Sequence, residues 1–236
     1  VATQLAYALN LIYQQPVETV FLSVDFTDFV SSSENPRPDA SARLETASGV
    51  FRFSVDEKEN PDYRWTVLRD YFKSLFSIEG PRALFDQKMS MLSKKYSRPW
   101  YFRDSQGQPN PAMDELARFL DIATARGIKV YLFTNPFHQD FWALFRTQGH
   151  MPAYNDWMKA IRQLAQQYPR GAVELWDFSA DSPFIHETVP AAGVLSGPLQ
   201  WFWEPAHYRR ELGDLMVEAM LSESCDTEVA FGRKLF

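Results

Sequence analysis

Lys129-Val130-Tyr131-Leu132-Phe133-Thr134, stopped at once by Asn135-Pro136, is the stretch whose reading decides the fold. A short β-branched and aromatic run closed by turn residues suits a strand buried on both faces, as in a parallel sheet. Upstream of it, Asn110-Pro111 opens a helix with Met113, Leu116, Leu120 and Ala123 on one face. That helix ends at Gly127, a residue type favoured at helix C-termini. Downstream, Phe137–Gln148 reads as a helix, and residues 155–168 read as an amphipathic one carrying Trp157, Ile161 and Leu164. Val173–Phe178 and Val20–Val24 repeat the strand pattern. A helix over 2–14, stopped by Pro16, precedes the second of these, and a last helix is expected over about 206–222. Strands alternating with helices imply βαβ units and a parallel sheet, in a single domain over 1–236.

Residues 31–100 break the alternation. The Pro-rich polar stretch 31–62 is expected to leave the sheet, with a small strand pair near 50–55. Helices are expected over 62–77 and 81–96, separated at Gly80-Pro81.

The totals narrow the function. The chain has 236 residues, 45% of them hydrophobic and 15% aromatic, which is enough for a sizeable core rich in rings. A net charge of -6 argues against nucleic acid as a partner, since no basic face is available to displace counterions from phosphates. The lone cysteine, Cys225, rules out an intrachain disulfide. No run of 18 apolar residues exists, so no membrane contact is expected within the chain. The abrupt opening Val1-Ala2-Thr3, already in a helical pattern, is read as a truncated or processed start. Phosphate-loop, dinucleotide, zinc-protease and nucleophile-elbow motifs are absent, and the four histidines lack ligand spacing, so neither a cofactor nor a metal is expected.

Parallel sheets bind ligands beyond the carboxyl ends of their strands. That rule singles out Ser23–Phe26, Thr134–His138, Asp177–Ser179 and the last loop. In the loop, Glu204 precedes His207 by three residues. This spacing lets the carboxylate fix one ring nitrogen while the other takes a proton from a serine hydroxyl; a helix cap and a solvated glutamate fit the spacing as well. Asp25, directly after the first strand, faces either the site or a turn. Asn135 is an oxyanion or substrate donor, or simply a helix-start signal. His138, one turn on, faces the same cleft or packs in the core. Asp177 is read either at the site or as an anchor for its loop. Trp201, Phe202, Trp203 and Tyr208 wall an acyl or sugar pocket or belong to the core.

Trp203-Glu204-Pro205-Ala206-His207, continuing as Tyr208-Arg209-Arg210-Glu211-Leu212-Gly213-Asp214, resembles the Asp-x-x-His block of the SGNH/GDSL hydrolase superfamily, with Glu in place of Asp. The continuation is similar to that of bacterial membrane-anchored members related to polysaccharide O-acetylation. The resemblance implies a three-layer α/β/α sandwich with a short parallel sheet, of the SGNH or flavodoxin-like kind, with residues 31–100 as a helical insertion. It implies a serine esterase or O-acyltransferase acting on a glycan or small-molecule ester, with His207 as general base and Glu204 as its orienter. Ser23 and Asp25 then take the Gly and Asn positions of the family's Gly-x-Asn-Asp block. The family's serine block is not in the chain and is expected upstream of residue 1. An extracytoplasmic location, with an N-terminal anchor removed, is the matching expectation. An inert module of the same fold that binds glycan or protein is the alternative.

Overall fold

The computed structural model describes residues 2–33, 80–194, 198–222 and 231–236. The strand pair expected near 50–55, the helix expected over 62–77 and Cys225 lie outside these residues.

The fold is an α/β sandwich built on a mostly parallel four-stranded sheet. The strands are β1 (Thr19–Ser23), β2 (Lys129–Thr134), β3 (Val173–Asp177) and β6 (Arg233–Lys234), in the order β1-β2-β3-β6. β1 pairs with β2 and β2 with β3, both parallel, from Thr19↔Lys129 and Val130↔Val173 onward. β2 is central, and Val130 and Leu132 are fully buried in it. Its bounds match the sequence expectation because both faces are covered and Asn135-Pro136 ends the ladder. β6 joins antiparallel at the edge of β3. Gly232 allows this approach: its φ is +84°, and a Cβ there would collide with the Phe178 ring.

The helices are α1 (Ala2–Gln14), α2 (Gly80–Lys95), α3 (Ala112–Ala125), α4 (Gln139–Thr147), α5 (Met151–Ala165) and α6 (Arg210–Leu221). α1 packs on α3, burying Leu5, Leu9 and Ile12 with Leu116, Phe119 and Leu120. Arg126, just past α3, donates to the Ile12 carbonyl at 2.9 Å and stacks over Tyr13, so one guanidinium satisfies the end of α1. α3 also lies on β2, and α5 lies on β3.

Three expectations are corrected. α5 begins at Met151, not 155, because Pro152 falls in its first turn, where proline starts a helix rather than stopping it. α6 begins at Arg210, not 206, because β4 (Phe202–Glu204) and β5 (His207–Tyr208) form a small antiparallel hairpin ahead of it. The sheet is not wholly parallel, since β6 reverses. Within the expected insertion, α2 is present, and the base is closed where Ser31 and Tyr101 exchange backbone hydrogen bonds at 3.0 and 2.8 Å.

Two groups of side chains fix the carboxyl ends of the strands. Phe26, in the short 3-10 turn Phe26–Asp28 after β1, meets Phe145, Tyr154 and Trp157 at 5.6–5.8 Å between ring centres. This packing, edge-on to Phe145 and Tyr154 and tilted to Trp157, ties the residues after β1 to α4 and α5. At the end of β3, Asp177 is buried and accepts from the Thr134 hydroxyl at 3.0 Å and from the Ser179 backbone and hydroxyl at 3.0 and 2.5 Å. Arg233 donates to its other oxygen at 3.0 Å. The carboxylate therefore joins β2, β3, the next loop and β6, the anchoring role of the two considered for it.

Candidate active site

A cleft of about 390 Å³ opens where the ends of β1 and β2 meet the hairpin. Asp25 and Asn135 come to it from the strand ends, His207 and Tyr208 from β5, and Leu92, Lys95 and Tyr96 from the end of α2. Phe137 and Phe141 complete the apolar part. The position is the one expected of a parallel sheet.

The hairpin is held over the strand ends by a chain of contacts. The Glu187 carboxylate accepts from the backbone N–H groups of Gln200, Trp201 and Phe202, the last two at 3.0 and 3.2 Å. The Arg209 N–H donates to the Trp201 carbonyl at 2.7 Å and closes the hairpin. His138 secures it from beneath. Its backbone N–H donates to the Pro205 carbonyl at 3.0 Å. Its Nδ1 accepts from the Asp140 N–H at the start of α4, at 3.2 Å. Nδ1 must then carry a lone pair, so the ring proton sits on Nε2 and is donated to the Glu187 carbonyl at 2.7 Å. His138 is 1% exposed, packs edge-on against Phe85 and Phe202, and does not line the cleft. It is a positioning residue for the loop; both ring nitrogens are spent on backbone groups.

Glu204 and His207 face each other across the hairpin, and a short hydrogen bond joins Nδ1 to Oε1. Glu204 is buried, and its other oxygen accepts from the Ala206 N–H at 3.2 Å. The imidazole is exposed at the lip, and Nε2 makes no hydrogen bond with a described residue. The Glu204 hydrogen bond holds the His207 pKa above the ordinary imidazole range, against the opposing effects of burial and of Lys88. A carboxylate bonded to Nδ1–H leaves the Nε2 lone pair aimed outward, the arrangement a general base needs.

The sign of the pH effect follows. A raised histidine pKa adds stability that is fully present below the unfolded value of about 6.5 and is lost as pH rises through the folded value. For an exposed ring this contribution is small. For base catalysis the neutral ring is needed, so activity should rise as pH passes upward through the raised pKa. We expect Glu204→Gln to bring the His207 titration, followed by its ring proton resonances in NMR, back down toward about 6.5. An unmoved midpoint would mean that the carboxylate does not set the ring's basicity.

On the floor, the Asn135 amide donates to Asp25 Oδ2 at 2.8 Å and to Ser23 Oγ at 2.7 Å. The reverse amide orientation would set its carbonyl against the Asp25 carboxyl, so the nitrogen belongs here. Both amide hydrogens are thus committed to the protein, and Asn135 in this arrangement orients Asp25 instead of pointing a donor at an oxyanion. Burial pushes the Asp25 pKa up, opposed by its hydrogen bonds from Asn135 and by the nearby His207, and reinforced by Asp28. Tyr96, beside it, is pushed up to about 12, chiefly by burial.

Of the rings flanking His207, Tyr208 lines the cleft. Phe202 is buried beneath, Trp201 meets Phe184 edge-on at 4.9 Å, and Trp203 is exposed, with Arg209 stacked over it at 4.5 Å. The wall from α2 was not expected from sequence. Leu92, Lys95 and Tyr96 reach the cleft only through tertiary packing, and nothing in their spacing points there. The Ser179 hydroxyl donates to Asp177 and accepts from Tyr154 at 2.6 Å, so it is not poised toward His207. Among the described residues there is no helix long and apolar enough to cross a membrane and no cluster suited to a metal ion. Compared with known protein families, curated proteins and solved structures, the chain matches none.

Proposed function

We propose that this chain carries the histidine–carboxylate pair of a serine-dependent esterase or O-acyltransferase of SGNH type, acting on an ester of a glycan or small molecule. The observation behind the reading is the Glu204–His207 pair at the lip of a cleft on the carboxyl ends of the strands. In this reading a serine hydroxyl attacks the ester carbonyl while its proton passes to His207 Nε2, and Glu204 stabilises the imidazolium that forms. Collapse of the tetrahedral intermediate expels the alcohol, which takes the proton back from Nε2 and leaves an acyl-serine. Water or an acceptor hydroxyl, deprotonated by the same nitrogen, then releases the acyl group.

The nucleophile of this reading is a serine of the family's Gly-Asp-Ser type, which residues 1–236 do not contain. Ser23 is bonded to Asn135, and no described serine hydroxyl is bonded to His207. That observation also favours a second reading, an inert module that binds a glycan or a protein through the same cleft. A fluorophosphonate probe separates the two when applied to the intact gene product. Labelling of a serine, mapped by peptide mass spectrometry, supports the enzyme. A fully folded protein that stays unlabelled beside a reactive control supports the binding module.

A further inference from the structure

The carboxyl groups that order the strand ends and the loop above them are supplied with donors very unequally. Asp177 is met by Thr134, by the backbone and hydroxyl of Ser179, and by Arg233. Glu187 is met by the backbone N–H groups of Gln200, Trp201 and Phe202, and Glu204 by His207 and the Ala206 N–H. Among the described residues, Asp25 is met by Asn135 alone, whose side-chain amide holds Oδ2 at 2.8 Å. A carboxylate has about four sites at which it accepts, so Asp25 retains capacity that the others have spent on the protein. Asp25 is also the one of these groups that lines the cleft. Asn135 cannot turn away from it, because the second amide hydrogen is given to Ser23 Oγ at 2.7 Å. Ser23 ends β1 and Asn135 follows β2, so the clamp spans two paired strands.

We infer that Asp25 is a specificity-determining residue of the cleft: its Oδ1 accepts a hydrogen bond from a ligand hydroxyl close to the ester, and Asn135 is the positioning residue that aims it. The inference rests on the cleft being the ligand site, as in both readings above, and not on the presence of a nucleophile. With Oδ2 held by Asn135, Oδ1 is the oxygen left for a ligand. Asp25 does not serve the ester carbonyl, because a carboxylate repels the negative charge that develops there. Asp25 and Lys95 line the same cleft with opposite charges, so the direction of hydrogen bonding, rather than net charge, does the selecting. A fixed acceptor turns away an analogue that lacks the hydroxyl, since the carboxylate is then desolvated and left unpaired.

An NMR titration of the isotope-labelled full chain tests this with two probes. One is glycerol monoacetate; the other is its dimethyl ether, which keeps the ester and the skeleton but has no O–H donor. The monoacetate should bind about tenfold more tightly or better, and should shift the side-chain NH2 resonances of Asn135. Asp25→Asn keeps the shape of the side chain. Its amide oxygen takes the bond from Asn135, and its NH2 group then donates where the carboxylate accepts. In that variant the preference for the monoacetate should collapse, and the dimethyl ether should gain affinity; a purely structural role for Asp25 would not reverse the preference in this way. Equal binding of the two probes, no binding of the monoacetate, or a preference unchanged in Asp25→Asn overturns the inference. Should the variant fail to fold, the comparison of the two probes on the unsubstituted chain still decides. Fluorophosphonate labelling reads only the nucleophile, so it fails or succeeds independently of the hydroxyl preference.

Discussion

His207→Ala is expected to slow fluorophosphonate labelling of the intact protein by about a thousandfold or more, the range that loss of a positioned general base produces. The variant separates chemistry from folding well. The imidazole is exposed at the lip, and its one hydrogen bond is to Glu204. Removing it should cost about 1–2 kcal/mol, because the ring itself is exposed but the buried Glu204 carboxylate loses a partner. Freed of its partner, buried Glu204 keeps the Ala206 N–H. A labelling rate within a few fold of the unsubstituted protein would remove His207 from the mechanism and with it the esterase reading. A large loss of stability would instead mean that the ring is structural.

Most of the framework is legible in the sequence, and the reason is periodicity. β2 and β3 are short apolar runs covered on both faces, and α3 carries Leu116, Leu120 and Ala123 at helical spacing; both patterns survive tertiary packing because burial of those same side chains drives it. The strand ends were legible too, since a polar residue directly after a buried strand has few places to go. Asp25 and Asn135 were expected there separately, and the parallel register of β1 on β2 brings them into contact.

What was not legible has equally physical causes. The β4–β5 hairpin has three and two residues with an irregular register, too short for any period, so His207 looked like a helix residue. His138 carries no mark in the sequence of being the tie between α4 and the loop; that role depends on the Glu187 and Pro205 carbonyls, about 50 to 70 residues away in the chain. β6 is two residues long and is recognisable only through what it pairs with.

The largest loss of stability is expected away from the cleft, at Asp177. Its Oδ1 gathers the Thr134 hydroxyl and both the backbone and the hydroxyl of Ser179, and its Oδ2 takes Arg233. Asp177→Ala leaves buried donors at the ends of two adjacent strands without an acceptor and lets β6 loosen. An unsatisfied buried donor costs about 1–3 kcal/mol, so a loss of about 3 kcal/mol is expected, seen as a drop of about 1 M or more in the urea midpoint. Asp177→Asn tests the cause, because its amide oxygen can still serve Thr134 and Ser179 while its NH2 group opposes Arg233. That variant should recover part of the loss. If it proves as unstable as the alanine variant, the Arg233 pair outweighs the cluster of donors; if both are as stable as the unsubstituted chain, the network does not hold the strand ends. Asp177 touches neither His207 nor Glu204, so Asp177→Ala should impair labelling only under conditions where the fold itself is lost, the reverse of the pattern expected for His207→Ala.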